Sequence, residues 1–242
     1  MTYGTVSVSQ AGAVAVIELV SDDGLNCYTP EMGEDLVAAL RAAAADPQVR
    51  AIVLPGRGKI FCAGAHRSLL RGEVGPSGFT MGTEEFIAAF AQNLPELPKL
   101  TIAAINGPAV GIGMTMSLLC DLRIAVPGAK LRLNFAELGI MPGLGSTARL
   151  PQLVGLSRAK RLLLCDRQIL SDEAVTIGLV DELAEPDNLR DAAVKLGQAA
   201  AECRGGTLEQ IKRCLNAAPT AGDVAGAAGR EAAAAAELRR TR

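Results

Sequence analysis

The chain has 242 residues, 49% of them hydrophobic and 21% charged, and 24 basic residues against 26 acidic ones leave a net charge of −2. That is enough apolar surface for a sizeable core, which excludes a disordered chain, and the length fits one compact α/β domain with an appendage. No run of lysines or arginines exceeds two and aromatic residues make up only 3% with no tryptophan, which argues against a nucleic-acid groove, a base-stacking platform and an anionic membrane surface.

In chain order, Val6 and Val8 followed by Val14, Val16, Ile17 and Leu19, with Gly12 between, predict two strands joined by a tight turn. After the loop Ser21-Asp22-Asp23-Gly24, Thr29 can cap a helix that starts at Pro30, carries apolar residues at 32, 36, 37 and 40, and ends near Asp46-Pro47. A buried strand is expected over 51–54, a turn at Gly56-Arg57-Gly58 and a short extended piece from Lys59 to Cys62. The glycine-rich stretch 71–82 reads as a loop and 83–93 as a helix, whose leading Glu84 and Glu85 suit its dipole. A second buried strand runs from Leu100 to Ile105 and ends at Asn106-Gly107-Pro108. The residues from Gly111 onward, apolar all round, predict a helix buried in the domain. Asp121 to Val126 returns as a strand; 142–154, 157–164 and 171–178 read as helices, and Leu179 to Asp181 as a last strand. The remainder, 186–242, is alanine-rich and helical, which divides the chain into a core over 1–185 and a helical C-terminal segment. Strands alternating with helices imply a largely parallel sheet covered by helices.

The cysteines at 27, 62, 120, 165, 203 and 214 form no Cys-x-x-Cys pair, and no signal-peptide pattern opens the chain, so reduced thiols in a cytoplasmic protein are expected. A single histidine, His66, removes every Ser-His-Asp or Cys-His arrangement that does not use it and leaves a metal site short of soft ligands. No uninterrupted apolar run reaches about 18 residues, the length that suggests a membrane span.

Two segments carry the chemistry: Phe61-Cys62-Ala63-Gly64-Ala65-His66 and Asn106-Gly107-Pro108-Ala109-Val110-Gly111-Ile112-Gly113. Each is a strand end running into small residues, where a ligand can approach the backbone closely and unpaired N–H groups can hold an anion. Either alone is equally well a tight turn. Gly143-x-Gly145-x-x-Ala148, with Asp166 some 20 residues on, matches a dinucleotide fingerprint, but it does not follow a first strand.

Taken together, the two segments resemble the crotonase superfamily, also called the enoyl-CoA hydratase/isomerase family. The resemblance continues through Cys120-Asp121-Leu122-Arg123-Ile124-Ala125, through Leu138 to Leu150 and through the turn from Ala174 to Val180. It implies a crotonase-type α/β superhelix of ββα turns with a helical C-terminal segment, assembly as trimers or dimers of trimers, and binding of an acyl-CoA or acyl-carrier-protein thioester whose enolate is stabilised. No separate cofactor or metal is implied, since coenzyme A or phosphopantetheine arrives with the substrate. Carried onto this chain, the oxyanion-hole amides are those of Ala65 and Ile112. Leu25, Cys27, Ala63, Gly64, Arg67, Gly111, Thr115, Asn134, Phe135 and Glu137 are the expected substrate-binding positions.

The positions of the two hydratase glutamates are occupied by Thr115 and Phe135, with Asn134 before the latter. A hydratase must activate water and protonate carbon, steps that acid–base groups each speed by about 10² to 10⁴. The resemblance therefore implies decarboxylation or isomerisation over hydration, with a silent acyl-thioester binder and an unusual hydratase as alternatives. Asn134-Phe135 and the run His66-Arg67-Ser68-Leu69-Leu70 are similar to crotonase-type decarboxylases of polyketide β-branching, which carry a lysine near the position of Arg67. His66, beside Ala65, is the one side chain whose ordinary titration range lies near neutrality, so it is either the acid or a tie for its loop. Arg67 stays charged and suits an anion. Glu137 is a relocated carboxylate facing the same way as Phe135 if that stretch is extended, or else a solvent-facing charge. Asp121 reads as structural, and Met114, Met116 and Met141 as core filler.

Overall fold

The computed structural model describes residues 3–76, 78, 93–166, 168–204 and 206–217. Strands β1 (Val6–Ala11) and β2 (Val14–Leu19) form the expected antiparallel hairpin, with Ala11 opposite Val14 across a two-residue turn where Gly12 takes a positive φ. Helix α1 (Pro30–Ala45) follows. Thr29 caps it by accepting the Met32 N–H at 3.0 Å, Pro30 opens it, and Met32, Leu36, Ala39, Leu40 and Ala43 bury one face.

Strands β3 (Ala51–Pro55), β4 (Leu100–Ile105), β6 (Leu122–Ala125) and β9 (Glu182–Leu183) extend the sheet in parallel, in the order β1-β2-β3-β4-β6-β9. β3 is buried along its whole length, as a strand covered on both faces must be. Helix α9 (Leu189–Ala201) packs across β2, β3 and β4, and Gly197 lets it come close: a Cβ there would sit 3.0 Å from Val14 Cγ2.

A second sheet of β5 (Ala109–Val110), β7 (Lys130–Arg132) and β8 (Gln168–Leu170) was not predicted, because strands of two or three residues carry no periodic signal. The stretch 59–62 forms only an isolated bridge between Cys62 and Ala109. The strand expected at 179–181 begins instead at Glu182. The N–H groups of Leu179 and Val180 are both taken by Ala174 O, closing helix α8 (Ser171–Thr176), so they are not available to a ladder.

The remaining helices among the described residues are short: α2 (Arg67–Leu70), α3 (Asn93–Glu96), α4 (Ile112–Ser117), α5 (Phe135–Leu138), α6 (Ser146–Val154), α7 (Leu156–Arg161) and α10 (Thr207–Asn216). α6 starts four residues later than Pro142 because Leu144 and Gly145 both take positive φ, which a helix cannot accommodate. After α7 the chain widens into a π-helical turn over Leu162–Asp166. Most of the expected helix 83–93, with Glu84 and Glu85, and the tail beyond 217 lie outside the described residues. Met114 and Met116 are fully buried, but Met141 is 81% exposed and is not core filler.

One polar cluster ties the C-terminal helix to the sheet. Asp121 Oδ2 accepts from Thr101 N–H (2.8 Å), Thr101 Oγ1 (2.9 Å) and Lys212 Nζ (2.7 Å), and Lys212 on α10 also donates to Lys99 O. Asp121 is thus structural. Beside it, Arg123 is 2% exposed and donates to Cys120 O and Leu179 O at 2.9 Å each, with Asp181 3.3 Å away. Burial draws the Arg123 pKa down, and Asp181 partly opposes that.

Candidate active site

The first segment is fixed from behind by a short relay. Asp23 accepts from Ser21 Oγ (2.6 Å) and from Leu25 N–H (2.9 Å), and these bonds hold its carboxyl below the usual carboxylate value, with a further contribution from nearby His66. Leu25 O then accepts the Ala63 N–H at 3.0 Å. Tyr28, fully buried, bridges Ala65: its N–H donates to Gly64 O and its carbonyl accepts from His66 N–H. Asn26 sits at φ 50°, which asparagine tolerates, and its Nδ2 donates to Arg57 O and Ile60 O. Asp23, Asn26 and Tyr28 were not singled out in the sequence; a Ser-x-Asp pattern within a loop was the one available signal for the first.

The second segment lies against the first. Val110 N–H donates to Cys62 O at 2.9 Å, and at Gly113 a Cβ would lie 2.6 Å from Cys62 Cβ and 2.7 Å from Cys62 O. Gly107 is tighter still against the Lys59 carbonyl, so both positions need glycine for contact rather than for flexibility. Gly111, at φ 53° and ψ −115°, turns the chain from β5 into α4 and donates to Arg132 O. Among the described residues, this leaves the N–H groups of Ala65 and Ile112 without a protein acceptor, on two strand ends held side by side.

The expected positions gather around these two amides to different degrees. Leu25, Cys27, Ala63 and Gly64 run alongside Ala65 through the contacts above. Cys27 is partly buried, which raises its thiol pKa, and full burial pushes the Cys62 thiol up to about 12. His66 is exposed and caps α2: its Nδ1 accepts from Ser68 N–H at 3.2 Å and lies 2.9 Å from Ser68 Oγ. Nε2 is the ring nitrogen not used in the cap. Arg67, the next residue, is exposed.

Thr115 is 1% exposed, and its hydroxyl turns back to Ile112 O at 3.3 Å, one turn along its own helix. Phe135 is 7% exposed at the start of α5, and the Asn134 amide lies beside Gly111. Because 135–138 is a helical turn and not extended, Glu137 does not share a side with Phe135; its carboxylate pairs with Arg132 at 2.9 Å, half exposed. Gly143 to Ala148 runs from the end of α5 into α6 with no strand before it, so the dinucleotide fingerprint lacks its strand-to-helix frame. A cavity of about 470 Å³ between α10 and the β4–β6 region, lined by Leu118, Leu122, Leu153, Ile211 and Lys212 among others, includes none of the expected site residues. Among the described residues no helix is long and apolar enough to cross a membrane, and no group of three or more His, Cys, Asp or Glu residues is placed to hold a metal ion.

The enoyl-CoA hydratase/isomerase family model matches residues 9–235. This chain belongs to the enoyl-CoA hydratase/isomerase family. Within it, the chain is similar to the 1,2-epoxyphenylacetyl-CoA isomerase of Escherichia coli, 33% identical over 211 residues that cover 86% of this chain and 80% of that enzyme. It is similar also to a short-chain-enoyl-CoA hydratase of Clostridium acetobutylicum, 32% identical over 89% of this chain and 82% of that one. Among solved structures, an enoyl-CoA hydratase from Bacillus anthracis superposes with a TM-score of 0.84 at 29% identity, covering 99% of this chain and 92% of the other. The crotonase fold is therefore shared across nearly the whole chain, and acyl-CoA thioesters are the family's kind of ligand.

Proposed function

We propose that the protein binds an acyl-CoA or acyl-carrier thioester with its carbonyl oxygen between the Ala65 and Ile112 N–H groups, and that it stabilises the enolate formed there for isomerisation or decarboxylation in preference to hydration. The observation that carries this reading is that the N–H groups of Ala65 and Ile112, on adjoining segments, have no acceptor among the described residues. Backbone donors aimed at a developing oxyanion in a site closed to water lower a barrier by about 3 kcal/mol each. Decarboxylation generates the enolate by loss of CO2 and asks for no base. Isomerisation asks for a proton shuttle; His66, next to Ala65, serves as one once its Nδ1 leaves the Ser68 N–H, since the capped neutral ring carries its hydrogen on Nε2 and offers no free lone pair. The likeness to an isomerase at 33% identity supports the second route.

Thr115 and Phe135 disfavour hydration for a physical reason. A threonine hydroxyl bonded back to its own helix and a buried phenyl ring have no group that titrates near neutrality, so neither takes a proton from water nor gives one to carbon. Calorimetry with acetyl-CoA, butyryl-CoA and a phosphopantetheine-bound acyl carrier, against free coenzyme A, is the direct test. Thioesters are expected to bind more tightly than the free thiol, because only they place an oxygen at the two amides. Absence of binding by every thioester would overturn the reading.

A further inference from the structure

On the Ile112 side of the two amides, one polar side chain has no hydrogen-bond partner among the described residues. Asn134 stands at the start of α5 without capping it, and its amide makes no hydrogen bond among the described residues. It is half-buried, between the buried Leu133 and Phe135. Its Oδ1 lies 3.7 Å from the place a Cβ would occupy on Gly111, the residue directly before the Ile112 amide. The surrounding surface is apolar or already committed. Ile112 and Phe135 offer hydrocarbon, the Thr115 hydroxyl is bonded to Ile112 O, and Arg132 is paired with Glu137.

We infer that Asn134 is a specificity-determining residue which holds a hydrogen-bonding oxygen on the acyl group, so that the protein selects oxygen-bearing acyl thioesters over hydrocarbon ones. The inference rests on the thioester reading above and adds the class of acyl group. A carboxamide supplies two N–H donors and a carbonyl acceptor, so a hydroxyl, a carbonyl or a carboxylate can each satisfy it. A purely hydrocarbon chain laid against it would strip its water and return no hydrogen bond, and a polar group desolvated without a partner penalises the complex. Sites built to hydrogen-bond a substrate group discriminate strongly against analogues lacking it, whereas apolar pockets discriminate weakly. Gly111, at φ 53°, makes the turn that carries the chain from β5 to the Ile112 amide.

Three four-carbon thioesters isolate the effect: butyryl-CoA, 3-hydroxybutyryl-CoA and succinyl-CoA share chain length and differ in oxygen. By calorimetry, the native protein is expected to bind at least one oxygenated member about 10-fold or more tightly than butyryl-CoA, and which member gains tells hydroxyl from carboxylate recognition. In Asn134→Leu, whose folding is checked by circular dichroism against the native protein, the preference for the oxygenated member over butyryl-CoA is expected to vanish. Equal binding of all three by the native protein, or a preference that survives Asn134→Leu, overturns this inference alone. Failure of all three to bind overturns the thioester reading together with it.

Discussion

Hydration of crotonyl-CoA is expected to run about 10⁴-fold or more below the rate of a family hydratase that carries both glutamates. Each acid–base group is worth about 10² to 10⁴, and on the proposed reading the two glutamate positions are Thr115 and Phe135, neither of which titrates near neutrality. Thr115 is buried with its hydroxyl on Ile112 O, so it neither orients nor deprotonates a water, and Phe135, 7% exposed, offers no polar atom to hold one. Glu137 does not take over the task, because its turn of helix carries it away from Phe135 and Arg132 pairs its carboxylate. Loss of absorbance from the conjugated thioester at high protein concentration measures the rate. Turnover at ordinary enzyme rates, about 1 to 10³ per second, would show that another group supplies the proton transfers.

Arg123→Met is expected to destabilise the fold by about 3 kcal/mol or more, although Arg123 is bonded to none of the candidate site residues. The guanidinium is 2% exposed and satisfies Cys120 O and Leu179 O, two carbonyls that methionine would leave buried without a donor. Each such orphan costs about 1–3 kcal/mol. Asp181 adds less, because it is 39% exposed and can turn to water. These contacts join the turn after α4, strand β6 and the turn after α8, so their loss loosens the frame that carries the Ile112 segment. Urea unfolding followed by circular dichroism gives the difference; a shift below about 0.5 kcal/mol would mean that water replaces the guanidinium.

The sheet was legible because its signals are local, and the two candidate-site segments showed as strand ends running into small residues. Period-two alternation marked β1 and β2, a continuous apolar run marked β3 and β4, and Thr29-Pro30 marked the start of α1. What escaped was set by contacts distant in sequence. The β5-β7-β8 sheet has strands too short to show a period, and the strand after α8 shifted because Ala174 O claims the N–H groups of Leu179 and Val180. Leu144, at φ 58°, ended the helical reading of 142–145 although its sequence is apolar. The burial of Lys212 against Asp121, 91 residues apart, lies in the same class; the Asp23 relay is local, and the Ser-x-Asp pattern of its loop was its one signal. At the site, the resemblance supplied which amides matter, and the structure supplied why Gly107 and Gly113 must be glycine: a Cβ at either would strike the neighbouring backbone and part the two segments.

Placement of the thioester oxygen between two backbone donors is most directly read from the carbonyl itself. Difference infrared spectroscopy of acetyl-CoA labelled with ¹³C at the thioester carbon isolates that one C=O stretch from the protein's own. With the oxygen held by the Ala65 and Ile112 N–H groups, the bond is polarised toward the enolate and the stretch moves to lower frequency than in water, where the hydrogen bonds are weaker and averaged over orientations. A bound thioester at saturation whose carbonyl keeps its solution frequency would contradict the account, whatever the affinity.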